Sequence, residues 1–355
     1  MAKWVSNVFE NHFDRARLAL VNARPTIHDV AAAAGVSLAT VSKAVNGRYG
    51  VSPETTAKVM AVVDALGYES SLVASSMRAR RTGVIGVLVA DFEPFSSEVL
   101  KGVGAAVRSR GAEYDLLAYS GAHRGENTGW ERRSLSRLSG TLIDGAILVT
   151  PSVLTTAASI PVVAVDPHTG RTDLPSVEGD SRGGALLAVE HLLGLGHRRI
   201  GFLAGRPDLR SASLREAGYV QALRAAGITR DPALTRNGDF ELTASRQAAR
   251  SLLTSPDRPT AVFAANDLSA IALLRTALDL GLRVPDDLSI VGFDDIPEAS
   301  RESPPLTTVQ QPMQRLGSAA AGMLFTMLEG GEPAAPEVQL PTRLVVRGTT
   351  GPPRG

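Results

Sequence analysis

The chain has 355 residues, no cysteine and a formal net charge of +1 at pH 7. This length exceeds one ordinary hydrophobic core, so we expect two or three domains. The lack of cysteine excludes disulfides, thiolate metal sites and cysteine nucleophiles, and no apolar run approaches the length of a membrane span.

The charge is distributed unevenly along the chain. Residues 1–81 hold ten Lys and Arg against six Asp and Glu, whereas the remainder holds 27 against 30. Basic side chains in the first part can neutralise phosphates and release counterions from a nucleic acid. The near-neutral remainder needs no contact with nucleic acid.

Residues 1–24 precede the first helix signal, and two interpretations stay open for them: an additional helix, or a disordered stretch that results from an upstream start codon. Their apolar run, Leu18 to Val21, is short and is followed by no small-residue cleavage site. We therefore expect no signal peptide and a cytoplasmic location.

Two short helical patterns surround a Gly-Val turn in the segment PTIHDVAAAAGVSLATVSK. Thr26 and Asp29 have the spacing of a capping box, which predicts a helix that starts at Ile27 and ends at Gly35. Ser37 can cap a second helix at about 38–45, with Val36 and Val41 as a hydrophobic staple. We expect the first helix to bury Ile27, Val30, Ala31 and Ala34.

A third helix is predicted from Ser52, an N-cap followed by Pro53, to Gly67. Its expected apolar face consists of Val59, Val63 and Leu66. Three helices with this spacing are typical of a helix-turn-helix unit, which places its second helix in the major groove of DNA. The alternative is an Ala-rich helical hairpin in which these caps occur by chance.

A polar and apolar stretch, YESSLVASSMRARRT, follows Gly67 and ends in three arginines. On composition alone, residues 70–82 are a flexible, solvated linker.

From Gly83 onward, short β-rich runs alternate with helical patterns. This alternation predicts a parallel α/β architecture, and its length suggests two sheets. The sequence Gly102-Val-Gly104 resembles the start of a dinucleotide fingerprint, but it lies inside a helical pattern and lacks the third glycine. The strands are expected at 83–90, 114–119, 144–150, 161–165, 199–205, 260–264 and 288–293, and the helices at 96–110, 183–195, 213–226, 243–253, 268–280 and 313–328.

Polar residues follow several of these strands, where α/β proteins bind their ligands. Carboxylates and amides at strand ends can bond adjacent hydroxyls of a sugar. For each residue, a helix cap or a loop hydrogen bond is the alternative. The candidates are Asp91, Asn266, Asp267 and Asp294.

The N-terminal segment resembles the signature of the LacI/GalR family of bacterial transcription regulators, T-x-x-D-V-A-x-x-A-G-V-S-x-x-T-V-S-x-x-x-N. The resemblance continues to about Arg347. It implies a three-helix headpiece followed by a two-lobed, periplasmic-binding-protein-like domain with two parallel α/β sheets. Members usually begin just before the capping threonine, which favours disorder for residues 1–24. The fixed positions are filled by Thr26, Asp29, Val30, Ala31, Ala34, Gly35, Val36, Ser37, Thr40, Val41, Ser42 and Asn46.

The resemblance also implies DNA contacts, although several of these residues could serve only as helix caps. A hinge helix would insert an apolar wedge into the minor groove. The expected readers of base edges are Leu38, Ala39 and Lys43; the expected backbone contacts are Thr26, Ser37, Ser42, Asn46, Ser52 and Thr55; and the expected wedge residues are Val73, Ala74 and Met77.

The family's effector positions add to the strand-end candidates. Phe95 and Phe240 match ligand-facing aromatics, and Arg215 matches a clamp for a hydroxyl or a carboxylate. Gln311 lies beside the expected crossing strands. The implied domains are an extension (1–24), a headpiece (25–69), a hinge (70–82), an effector domain (83–347) and a tail (348–355), with lobe one at 83–195 and 312–338 and lobe two at 196–311 and 339–347.

We therefore expect a homodimeric repressor of carbohydrate-utilisation genes that is released from a palindromic operator by a sugar or oligosaccharide. Two alternatives stay open: a sugar-binding protein without a regulatory role, and a repressor with a purine-type corepressor. A glycosidase based on Asp91, Asp294 and Asp295 is disfavoured, because hinged clefts bind and release. Histidine spacing indicates no zinc site, and we expect no cofactor, enzymatic activity or membrane partner.

Overall fold

The computed structural model of the protein describes residues 25–45, 49–67, 81–111, 113–121, 129–152, 159–168 and 173–354. The chain separates into two units, Met1–Arg80 and Arg81–Gly355.

The first unit contains three described helices, α1 (Ile27–Ala34), α2 (Leu38–Val45) and α3 (Pro53–Leu66). These helices begin and end where the capping residues predict. Their shared core is made of small and branched side chains, with Val36 packed against it. Leu66 was expected on the buried face but is 38% exposed, because it is the last helical residue and lies beyond that core. The fully buried side chains are Val30, Ala34, Val41 and Val59.

The second unit contains two six-stranded sheets. Its strands are β1 (Val84–Val89), β2 (Asp115–Ser120), β3 (Gly145–Val149), β4 (Val162–Val165), β5 (Ser176–Gly179), β6 (Ile200–Ala204), β7 (Thr235–Asn237), β8 (Ala261–Ala264), β9 (Ser289–Asp294), β10 (Thr307–Gln310), β11 (Glu337–Leu340) and β12 (Arg343–Val345). Its described helices are α4 (Pro94–Ser109), α5 (Trp130–Leu138), α6 (Ser181–Gly194), α7 (Arg210–Ala225), α8 (Leu242–Leu253), α9 (Asp267–Asp279) and α10 (Met313–Leu328).

The first sheet has the order β11-β5-β4-β3-β1-β2 and is parallel throughout. The second has the order β12-β10-β9-β8-β6-β7, in which β12 alone runs antiparallel to its neighbour. This confirms the predicted pair of largely parallel sheets. Strands such as β1 and β3 are buried along their whole length, as sheets covered by helices on both faces require.

Each sheet and its helices form one lobe, and the chain crosses between the lobes three times. The crossings follow β5, β10 and β11. We expected the first crossing near Leu195, but α6 packs on α7 and on the second sheet, so the chain has already crossed at its start. The 3.6-residue pattern of α6 gave no indication of which sheet it would cover.

Two other expected boundaries also differ. The side chain of Asp144 accepts hydrogen bonds from the backbone N–H groups of Thr82 and Gly83, so the second unit includes residues assigned to the linker. At the other end, Thr349 is fully buried and its hydroxyl donates to the Ile290 carbonyl at 2.7 Å. The segment expected to be a tail is therefore part of the second lobe.

Glycines allow α4 and α10 to approach each other closely. A Cβ atom on Gly102 would lie 1.9 Å from the Gln314 carbonyl oxygen, and one on Gly317 would lie 2.1 Å from the Val99 carbonyl oxygen. Gly102 therefore serves helix packing, in agreement with its assignment to a helix and not to a phosphate-binding loop.

Candidate functional site

Local hydrogen bonds fix the ends of the helices in the first unit. The Thr26 backbone N–H donates to the Asp29 carboxylate at 2.7 Å, and the hydrogen bonds from Thr26 hold the pKa of that carboxyl below its usual value. Gly35 has the left-handed φ of +64° that lets the chain turn between α1 and α2. Ser37 Oγ accepts the Thr40 N–H at 3.1 Å, as the second cap predicts.

The outer face of α2 presents the three residues expected to read bases. Leu38 is 40% exposed, and Ala39 and Lys43 are also exposed. The opposite face buries Val41 and Ala44 in the core of the unit. The apolar face thus fixes which side chains of α2 point to solvent.

The expected backbone contacts have structural roles as well. Ser52 Oγ accepts the Thr55 N–H at 3.2 Å and lies 2.8 Å from the Thr55 hydroxyl. Ser42 is half-buried on α2. The remaining predicted DNA contacts fall outside the described residues: Asn46, Val73, Ala74 and Met77.

A cleft of about 460 Å³ lies between the lobes of the second unit. Residues from both sheets line it, at the carboxyl ends of the strands. Six of the eight predicted effector contacts are among them: Asp91, Phe95, Arg215, Phe240, Asn266 and Asp294.

Strained backbone is concentrated at this cleft. Among the described residues, six other than glycine have a positive φ, a conformation that costs free energy and persists at functional sites. Five of the six line the cleft: Thr150, Asp166, Asp239, Phe240 and Asp294.

Arg215 occupies the buried side of the cleft. Its guanidinium donates to the Ala265 carbonyl at 2.5 Å and lies 3.4 Å from the Asp294 carboxylate. It also stacks on Phe293, with 3.9 Å between Cζ and the ring centroid. The arginine is 4% exposed, so these contacts fix it as part of the wall.

Phe240 and Asn266 also line the cleft in the second lobe, and the Phe240 ring centroid lies 5.6 Å from Cζ of Arg215. The Phe240 ring lies over Gly205, where a Cβ atom would come within 2.1 Å of the ring. Asn266 caps α9 by accepting the Ser269 N–H at 2.9 Å, and its amide lies 3.4 Å from the Phe240 carbonyl oxygen. Asn266 therefore has the cap role that the alternative interpretation gave it, and it also lines the cleft.

Two predicted contacts lie outside the cleft. Asp267 is fully buried, and its carboxylate accepts the Ile296 N–H at 2.9 Å and the Thr308 hydroxyl at 2.5 Å. It begins α9, so its side chain points into the lobe while that of Asn266 faces the cleft. Gln311 lies behind the cleft at the second crossing, where its amide donates to Asp294 at 2.8 Å.

The structure adds lining residues that sequence reasoning missed. Thr150 and Asp166 directly follow β3 and β4, so the rule that selected Asp91 and Asp294 would have found them. Trp130 gave no such signal, because it opens a helix in a polar stretch. Further missed residues that line the cleft are Glu93, Ser152, His168, Arg206, Ser211, Asp239 and Glu241.

Three groups of the cleft, Glu93, Asp166 and His168, have strongly shifted pKa values. Burial raises the pKa of Glu93 to about 7, and the neighbouring Asp294 carboxylate adds to the rise. Burial raises the pKa of Asp166 to about 6 despite the opposing effect of Arg215, and it lowers the pKa of His168 to about 4. His168 is therefore neutral near pH 7 and supplies no positive charge.

Carboxylates outnumber cations in this cleft. Its described lining holds six carboxyl groups and two arginines. Arg206 already pairs with Asp208 at 2.6 Å, and Arg215 pairs with Asp294. Such a wall favours ligands that donate hydrogen bonds. The carboxyl groups are those of Asp91, Glu93, Asp166, Asp239, Glu241 and Asp294.

The described part of the chain has no cluster of three or more His, Cys, Asp or Glu suited to a metal ion. Within the same residues, no helix combines the length and apolar character needed to cross a bilayer.

Comparison with known proteins gives consistent matches over most of the chain. The family model described as "Bacterial regulatory proteins, lacI family" matches residues 26–71, and "Periplasmic binding protein-like domain" matches residues 189–350. The HTH-type transcriptional repressor PurR of Photobacterium profundum is 34% identical over 332 residues, which cover 91% of this chain and 97% of the relative.

Solved structures match as well. A complex of the transcriptional regulator CelR with cellobiose has a TM-score of 0.68 at 34% identity and covers 92% of this chain and 100% of that one. The lac repressor dimer bound to operator and the anti-inducer ONPF has a TM-score of 0.79 at 30% identity, with coverages of 93% and 100%.

Proposed function

The chain belongs to the LacI family of bacterial regulatory proteins, and on that premise we propose that it represses carbohydrate-utilisation genes and is released from its operator by a sugar or oligosaccharide. Two copies bind the two half-sites of a palindromic operator in the cytoplasm. One observation carries the proposal: the same chain holds a helix-turn-helix unit and a cleft lined by carboxylates, an arginine and aromatic rings.

For DNA, α2 is the recognition helix. Lys43 offers a mobile positive charge to guanine O6 and N7, while Leu38 and Ala39 offer only apolar contact, for example to a thymine methyl. Thr26, Ser37, Ser42, Asn46, Ser52 and Thr55 contact the DNA backbone, and Val73, Ala74 and Met77 form the minor-groove wedge.

For the effector, the cleft offers acceptors to hydroxyl groups and an aromatic face to a sugar ring. Asp294 and Asp91 accept from hydroxyls, and Phe240 stacks on the apolar face of a pyranose. The cavity is large enough for a small ligand of more than one ring. The cellobiose complex of CelR, a relative at 34% identity, supports an oligosaccharide.

The three crossings connect the two lobes that contact the sugar, so a change at the cleft can alter the orientation of the lobes. A ligand that touches both lobes changes the free energy of their relative orientation. We propose that this change reaches residues 70–82 and lowers operator affinity by a coupling free energy of about 1 to 3 kcal/mol.

A purine-type corepressor is the second candidate. The similarity to PurR favours it, and Phe240 could stack on a nucleobase as well as on a sugar. Such a ligand would strengthen operator binding, whereas a sugar inducer would weaken it.

The first experiment is operator binding by the purified full-length protein at fixed salt. The DNA is the region upstream of its own gene, with an unrelated fragment of equal length as control. Cellobiose, ribose, glucose and hypoxanthine are added separately. Release by one sugar at micromolar to millimolar concentration is the expected result.

The other outcomes are equally informative. Stronger binding with hypoxanthine would replace the sugar proposal by the purine one. Equal affinity for the two DNA fragments would contradict sequence-specific regulation.

A further inference from the structure

Glu93 occupies a position in the cleft that the sequence did not indicate. It immediately precedes α4 in the first lobe and lines the cavity. Its carboxylate accepts the Ser96 hydroxyl at 3.1 Å. Across the cleft it faces the Asp294 carboxylate, which ends β9 of the second lobe and raises the pKa of Glu93.

No basic side chain of the described residues pairs with Glu93. The guanidinium of Arg215, which also lines the cleft, is held by Asp294, the Ala265 carbonyl and the Phe293 ring. Asp91 and Asp166, which follow β1 and β4, are the other acidic groups of the cleft lining in the first lobe. The described lining near Glu93 therefore offers hydrogen-bond acceptors and no available cation.

We propose that Glu93 determines the specificity of the cleft, by accepting hydrogen bonds from an uncharged, hydroxyl-bearing effector and disfavouring an anionic one. The inference rests on the proposed function, because it specifies which sugars can act. An anion placed beside Glu93 and Asp294 would meet like charges in a partly desolvated site, where repulsion is strong.

The same contact makes effector binding release a proton. Before a sugar binds, Glu93 is partly protonated near neutral pH, since its pKa is about 7. A hydroxyl donor stabilises the ionised form and lowers that pKa. Affinity should then rise about tenfold between pH 6 and pH 8 through Glu93, with about a further twofold from Asp166.

The test compares cellobiose with cellobiose 6′-phosphate by calorimetry on the full-length protein at pH 6, 7 and 8. The variant is Glu93→Gln, which keeps an acceptor for Ser96. The matched control is Glu190→Gln on the exposed face of α6. The affinity of wild type and control for cellobiose should be at least about tenfold higher at pH 8 than at pH 6. Both proteins should bind the phosphate ester at least about tenfold more weakly than cellobiose.

In Glu93→Gln, the affinity for cellobiose should change only about twofold between pH 6 and pH 8. The difference in affinity between cellobiose and its phosphate ester should become smaller. Binding of cellobiose with the same pH dependence in both proteins would overturn the proposal, as would equal affinity for the phosphate ester in wild type. If sugar release from the operator persists in either case, the proposed function stands and only the role of Glu93 falls.

Thermal stability measured without ligand tests the raised pKa of Glu93 even if the effector is a sugar other than cellobiose. Glu93 has a higher pKa in the folded protein than the ordinary 4.5, so the folded state binds the extra proton between these values and loses stability as pH rises through them. Glu93→Gln should raise the melting temperature by roughly 2 to 4 °C more at pH 8 than at pH 5. The same change at both pH values would contradict the proposed proton release, and the comparison of cellobiose with its phosphate ester would then decide the specificity proposal.

Discussion

The exposed side chains proposed to read DNA belong to one eight-residue helix, α2, whereas the cleft collects side chains as distant in sequence as Asp91 and Asp294. The exposed residues Leu38 and Lys43 are positioned by caps and by a small core within the same unit. Several ionisable groups of the cleft are buried or half-buried, and the pKa values of Glu93 and Asp166 depend on burial and on charged residues of the other lobe.

This difference separates two kinds of functional surface. The helical unit depends on local bonds of about 1 kcal/mol each, so a single substitution there should have a limited and local effect. The cleft depends on buried polar groups, where the loss of one partner leaves another unsatisfied at a larger cost. Substitutions in the cleft should therefore have larger effects than those in the helical unit.

The largest effect is expected for Asp267→Ala, which tests whether this residue belongs to the wall or to the lobe. The Ile296 N–H and the Thr308 hydroxyl would each lose a buried acceptor, at about 2 kcal/mol each. We expect the free energy of unfolding in urea to fall by about 4 kcal/mol. Asp267→Asn, which keeps an acceptor and can donate to Thr308, should lose much less. Unchanged stability with a lost sugar response would return Asp267 to the effector site.

Sequence reasoning could place the strand ends but not the direction of each side chain. Asn266 and Asp267 both follow β8, yet one faces the cleft and the other the interior, because successive side chains at the start of a helix point in different directions. Asp166 could have been predicted from its place after β4. Glu93 could not, since its raised pKa arises from burial that only the fold creates and, to a smaller extent, from Asp294 in the other lobe.

The helix ends of the first unit were easier to predict, because they depend on contacts between residues that are close in the sequence. Thr26, Ser37 and Ser52 cap helices through bonds to residues three positions away, and such spacing is visible in the sequence. The short strands β5, β7, β10, β11 and β12 were not predicted, because they mix polar and apolar residues and lack the continuous apolar run that marked the equally short β4 and β8.

The second effect concerns Asp294→Ala in the cleft. Removing this carboxylate takes a partner from Arg215 and an acceptor from Gln311. We expect affinity for the releasing sugar to fall about a hundredfold, or about 3 kcal/mol, with operator affinity retained. Circular dichroism checks the fold, and Glu190→Gln serves as the control on an exposed helix face. A variant that remains fully inducible would remove Asp294 from the effector site.

The third effect concerns Lys43→Ala on α2. If Lys43 reads a base, the loss should be about 2 kcal/mol at one operator base pair and small at the others. Binding to a set of operators with single base-pair changes measures this pattern. The exposed Lys58 of α3 provides a matched control, for which Lys58→Ala should show no preference among the operators. An equal loss on every sequence would show that Lys43 contacts phosphate instead.

The smallest effect separates the two roles of Ser52, as a helix cap and as a phosphate contact. Ser52→Ala leaves the Thr55 N–H without its acceptor and should destabilise α3 by about 1 kcal/mol, measured by hydrogen exchange of the α3 amides in the full-length protein. Ser52→Asp keeps a good cap but places a negative charge where the hydroxyl was. If Ser52 only caps, the aspartate variant should bind operator like wild type. If it also contacts phosphate, α3 should stay stable while operator affinity falls, because the new carboxylate repels the DNA backbone.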